Sequence, residues 1–214
     1  MAHFVTQRWE GDPGAMGGRR ARASFSFQAF VPDPIADLQL LVSFEAADAV
    51  ANAEEAIRAL NEHAGVIGLE AVGPLLLRSE AVASSRLENI DVSTFNLARA
   101  LIDPQHARGA AREVAANVAA METAIAIGEK EADLTIDDLA ELHRILMADS
   151  TRPQVAGHVR SVQNWIGGRL ANPGDAVFIP PPALEDALLR DELVAFLNRP
   201  VMPAIVHAAT PTAQ

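Results

Sequence analysis

Apolar side chains recur at steps of three and four along most of this chain, and that spacing commits it to helices. Ala46, Val50, Ala53, Ile57 and Leu60 mark one face of a first segment, with acidic residues between them. Val114, Val118, Met121 and Ile125 mark a second. Thr135-Ile136-Asp137-Asp138 reads as a capping box, in which a hydroxyl accepts the amide three positions on and the carboxylate there reaches back. The helix it opens is expected to bury Leu139, Leu142 and Leu146. A further helix is expected from Ala183 to Asn198 behind Pro181-Pro182, with Leu184, Leu188, Leu189, Leu193 and Phe196 facing inward. One region breaks the pattern. Val162–Ile166 and Ala176–Ile179 are short, β-branched or aromatic, and separated by Gly167-Gly168 and Asn172-Pro173-Gly174-Asp175, which is a hairpin signature with a long connection. The fold class expected is all-α with one β-hairpin.

With 214 residues, half of them apolar, the chain can bury a sizeable core. Residues 1–24, punctuated by Gly11-Asp12-Pro13-Gly14 and Gly17-Gly18-Arg19-Arg20, read as a flexible N-terminal arm, with ordered structure expected from about Phe25. Seventeen basic against 28 acidic residues leave a net charge of −11, which argues against a nucleic-acid surface and against an anionic membrane surface. Without cysteine there is no disulfide, thiolate metal site or thiol nucleophile. No stretch approaches the roughly 18 apolar residues of a membrane span. The arginines at 8, 19, 20 and 22 follow no apolar run, so no secretory signal is expected and a cytoplasmic location is. Six scattered histidines give no pair at metal-ligand spacing, so no metal site is expected, and His143 reads as a structural histidine.

Two local patterns stand out. Ser84-Ser85-Arg86-Leu87-Glu88-Asn89 closes what reads as one helix beginning near Leu75, with Asn89 placed as a helix C-cap. Gly157-His158-Val159-Arg160 leads into Asn164-Trp165-Ile166-Gly167-Gly168, which on its own reads as a hairpin anchored by a tryptophan. Together these resemble the Fic (Fic/DOC) family. Ser84-x-x-x-Glu88-Asn89 is similar to the family's inhibitory motif [Ser/Thr]-x-x-x-Glu-[Gly/Asn], in the setting Glu80-Ala81-x-Ala83-Ser84-Ser85-Arg86-Leu87-Glu88. The stretch from Gly157-x-x-Arg160 to Gly168 resembles the entry to the target-docking flap, and Phe178-Ile179-Pro180-Pro181-Pro182 its exit. Phe30-Val31-Pro32-Asp33-Pro34-Ile35 fits the start of the family's N-terminal region, and Leu139-x-x-Leu142-His143 the helix that opens its catalytic domain.

The resemblance implies a Fic-like helical bundle with a flap: a flexible arm over 1–24, the N-terminal helical region with its inhibitory helix over 25–108, and the front of the Fic domain over 109–214. It implies the chemistry of protein adenylyltransferases, AMP transfer from ATP with Mg²⁺ to a hydroxyl of a target protein. Ser84, Glu88 and Asn89 would then be inhibitory. Gly157, Arg160, Asn164, Trp165, Ile166 and Gly167 would dock the target. The family motif His-x-Phe-x-[Asp/Glu]-Gly-Asn-Gly-Arg-x-x-Arg supplies a histidine base, a Mg²⁺-binding carboxylate and a phosphate cradle, and it does not occur in this sequence. Around His207 the residues are Val206-His207-Ala208-Ala209-Thr210-Pro211, with no carboxylate or glycine loop. The expectation is thus a chain truncated before the catalytic-loop helices, with no catalytic residue of its own, inactive alone and doubtful in ATP and Mg²⁺ binding. Uncovered apolar faces are expected on the 110–128, 135–147 and 183–198 helices. The expected partners are a target protein at the flap and other Fic proteins, as a homo- or hetero-oligomer. The alternative is a non-enzymatic regulatory, antitoxin-like or dimerising partner of a full-length Fic protein.

Overall fold

A computed structural model describes residues 2–14, 16, 18–62, 72–87, 89–130, 132–148, 150, 153–168, 172–183, 185–199 and 202–211. Among these residues the chain is mostly helical, with a small two-stranded antiparallel sheet. The elements are β1 (His3–Trp9), α1 (Arg19–Arg22), β2 (Phe25–Val31), α2 (Phe44–Glu62), α3 (Gly73–Leu87), α4 (Thr94–Ile102), α5 (Ala110–Gly128), α6 (Ile136–Met147), α7 (Asp186–Leu197) and α8 (Ala204–Ala209). They divide into two compact units. One comprises Met1–Leu40, Val159–Pro200 and Ala208–Gln214, and the other Leu41–His158 and Val201–His207.

The second unit is helical. Its core is Ala81, Val82, Val92, Leu97, Val114 and Val118, with Ile90, Leu101 and Met121 packed around them. Helix α5 is central, packing against α3, α4 and α6. Local chemistry fixes the helix ends. Ser93 caps α4 by accepting the Asn96 amide at 3.2 Å. The predicted capping box of α6 is present: Thr135 accepts the Asp138 amide, and the Asp138 carboxylate takes the Thr135 amide at 2.8 Å and its hydroxyl at 2.5 Å. Those two hydrogen bonds hold the Asp138 carboxyl below its ordinary value, because they favour the charged form.

The first unit is built on the sheet. His3 pairs with Val31 and Trp9 with Phe25, in register throughout. Ordered structure therefore begins at His3, and the expected start near Phe25 is corrected. Alternation explains both strands. Phe25, Phe27, Ala29 and Val31 fall on one face, and Ala29 and Val31 there are buried. On the opposite face, Phe4 and Phe30 meet edge to face at 5.6 Å.

The expected hairpin at Val162–Ile166 and Ala176–Ile179 is also corrected. Among the described residues it is a single bridge, Ile166 with Phe178. Immediately after Ile166, Gly167 and Gly168 turn the chain with φ of 75° and 82°, close against Val177 and Asp175, where a Cβ would collide. Beyond Phe178, Pro180–Pro182 offers no amide to a ladder. Pairing has nowhere to extend.

Three apolar faces are less covered than their periodicity predicts. Ile57 and Leu60 of α2 are about half exposed. Leu146 of α6 and Leu188 of α7 are exposed too, although Phe196 on α7 is buried as expected. Leu184 lies outside the described residues. Ile125 of α5 is about half exposed as well. No helix among the described residues is long and apolar enough to cross a membrane.

Candidate functional site

Residues 84–87 close helix α3, as their polarity suggested. Ala81, Val82 and Ser85 face the core, which leaves Ser84 on the exposed side. Asn89 has φ of 62°, in the left-handed region. Its amide donates to the Arg86 carbonyl at 3.1 Å, and the Ile90 amide donates to the Ser85 carbonyl at 2.9 Å. These two bonds are a Schellman ending, with Ile90 turned onto the helical core. The sequence pattern acquires a physical reason here. A position that ends a helix at positive φ is tolerated by glycine and asparagine and resisted by other side chains, so [Gly/Asn] is what this backbone needs. Glu88 lies outside the described residues.

The predicted flap residues fall in both units, and each is held by contacts within its own unit. Gly157 (φ of 72°) sits within the helical unit against α6, where a Cβ would approach the Ala140 carbonyl at 3.1 Å. Its amide donates to Nδ1 of His143 at 3.1 Å, which leaves the neutral ring's proton on Nε2 and gives that histidine the structural role expected of it. Arg160 donates to the carbonyls of Val162 at 3.2 Å and Pro181 at 2.5 Å. Gln163 donates to the carbonyls of Asn164 and Pro180, both at 3.0 Å. The two arms are thereby tied by side chains where proline prevents a backbone ladder. Ile166 donates to Phe178 at 2.8 Å and accepts from Val177 at 2.9 Å. Its own side chain is exposed, as are those of Val162 and Val177.

What holds this segment was not visible in the sequence. Trp165 meets Trp9 of β1 edge to face at 5.5 Å, and Phe178 meets Phe30 of β2 at 6.0 Å. The Phe30 amide donates to the Ile179 carbonyl at 2.9 Å, so the exit arm runs beside β2. Asn172 is fully buried: its side-chain amide donates to the carbonyls of Arg20 and Ala21, both at 3.1 Å, while its oxygen accepts the Gly174 amide at 3.0 Å. The alternation of Phe25-Ser26-Phe27-Gln28-Ala29 was a legible strand signal. The partners of Trp9 and Asn172 were not, because they lie some 150 residues away along the chain.

Among the described residues no group of three histidines or acidic side chains could hold a metal ion. His207, on α8, lies in no such group.

Residues 47–126 match the family model for the Fic/DOC family N-terminal region. The match covers α2 to α5 and takes in the Ser84–Asn89 helix end. No curated protein matches the chain.

Proposed function

We propose that this chain, a Fic/DOC family protein by its N-terminal region, is the regulatory and target-docking part of a protein-AMPylating system and transfers no AMP by itself. A catalytic motif carried outside these 214 residues would be restrained by the Glu88 helix, and the 160–182 flap would present the target in a Fic-like bundle. The observation that carries this reading is the helix ending at Asn89. The residues of the inhibitory pattern close a helix in the left-handed conformation that the pattern's last position requires, within the segment that matches the family.

In this reading the helix end is a positioning device. Packing of Ala81, Val82 and Ser85 fixes the rotation of α3, and the Schellman ending fixes its last turn. A carboxylate presented from such an end would pair with a guanidinium in two parallel hydrogen bonds and so occupy an anion site before a phosphate does. At the flap, Arg160 and Gln163 brace the two arms, while the exposed apolar side chains of Val162, Ile166 and Val177 are free to meet an extended segment of a target.

The test is AMP transfer from labelled ATP with Mg²⁺, using the full chain and its Glu88→Gly variant. Neither should label itself or added protein above background. Transfer by either protein, above all transfer released by Glu88→Gly, would show that a base and a phosphate site exist within these residues and would end this reading.

A further inference from the structure

Helices α3 and α5 leave an open groove of about 1040 Å³ between them. Its floor is apolar: Leu76 and Leu77 from one helix and Ile125 from the other, with Leu76 65% and Ile125 52% exposed. Its rim is acidic. Glu80 rises from α3, and Glu122 and Glu129 stand about two turns apart on the α5 side, one turn either side of Ile125. None of the three has a cationic partner among the described residues.

We propose that this groove docks a basic amphipathic helix of a partner protein, laying its apolar stripe on Leu76, Leu77 and Ile125 and its flanking lysines or arginines on the three carboxylates. This inference stands apart from the AMP-transfer reading, since none of these residues belongs to the inhibitory or flap patterns. Charge complementarity selects the occupant. A helix in a groove is read by apolar residues at helical spacing, and the rim decides which flanks are accepted. Two of the chain's own amphipathic helices, α2 and α6, carry the wrong sign for this rim. Helix α2 sets five acidic residues against one arginine, and α6 sets three against one. Either would bring like charges to the rim.

The experiment uses the full chain and two synthetic probes measured by fluorescence anisotropy: an amphipathic peptide with leucines at helical spacing and lysine flanks, and the same peptide with glutamate flanks. The lysine peptide should bind about tenfold or more tighter, with affinity falling as salt rises. Glu80→Gln, Glu122→Gln and Glu129→Gln together should abolish that preference. Leu76→Asp should remove binding of both peptides, with circular dichroism confirming the fold, since Leu76 is exposed and outside the core. Equal binding of the two peptides, no binding of either, or an unchanged preference in the triple glutamine variant overturns the proposal. So does a dimer of the chain alone that Leu76→Asp dissociates, because the groove would then belong to a second copy.

Discussion

The two units hold themselves together by different means. The helical unit relies on apolar contact between neighbours in sequence, Ala81, Val82 and Val92 against Leu97, Val114 and Val118, with caps built from residues three positions apart. The sheet unit relies on polar and aromatic contacts between its two distant halves: Asn172 on the Arg20 and Ala21 carbonyls, Trp165 on Trp9, the Ile179 carbonyl on the Phe30 amide. The first arrangement tolerates local change away from its core and fails through cavities. The second adds to its buried Ala29, Val31, Ile35 and Phe196 a set of single long-range polar and aromatic contacts, so loss of one such group is expected to loosen it locally.

The largest expected effect is in the helical core. Leu97→Ala should cost about 2–5 kcal/mol, through lost burial and the cavity left behind. Denaturant unfolding followed by helical circular dichroism measures it, and a change below about 1 kcal/mol would break the contrast between the units. Next comes Asn172→Ala, which leaves buried carbonyls and the Gly174 amide without partners, at about 1–3 kcal/mol. Hydrogen exchange should show faster β1 and β2 amides and unchanged amides in α5; uniform acceleration would mean that the two units do not differ in this way.

Smaller effects sharpen the comparison. Trp9→Phe should shift the emission of Trp165, the other of the chain's two tryptophans, and Trp9→Ala should cost about 0.5–1.5 kcal/mol beyond lost area. Thr135→Ala removes an N-cap worth about 1 kcal/mol. It also has a pH signature. The folded Asp138 carboxyl titrates below its unfolded value, so its contribution is present above the ordinary carboxylate range and lost as pH falls through the folded value. The variant should therefore lose less stability on acidification than the parent; parallel pH profiles would contradict the capping account. Smallest is Asn89→Gly, neutral within a few tenths of a kcal/mol, whereas Asn89→Val should be clearly destabilising because valine resists positive φ.

These differences also explain what could be read from the sequence. Helices α3, α5 and α6 and the Thr135 box were legible because their signals repeat within a turn or two of chain. The Asn89 helix end was legible for the same reason. The faces of α2 and α7 were legible only in part: periodicity names an apolar stripe but not what covers it, and Ile57, Leu60 and Leu188 remain exposed. The strand His3–Trp9 is followed at once by a glycine-rich stretch from Gly11 to Gly18, and its pairing lies across that stretch and α1. The flap residues Arg160, Trp165 and Ile166 were found as a pattern, while their supports, Trp9, Phe30 and the proline carbonyls, come from long-range packing that no local spacing encodes.

In the proposed function, the Glu88 helix end restrains a catalytic motif supplied from outside these residues. The most direct test is AMP transfer by a Fic adenylyltransferase whose own inhibitory glutamate has been replaced by glycine, titrated with this chain. The account predicts that the wild-type chain lowers transfer in a dose-dependent way and that Glu88→Gly does not. No inhibition at saturating chain, or equal inhibition by both proteins, would contradict it.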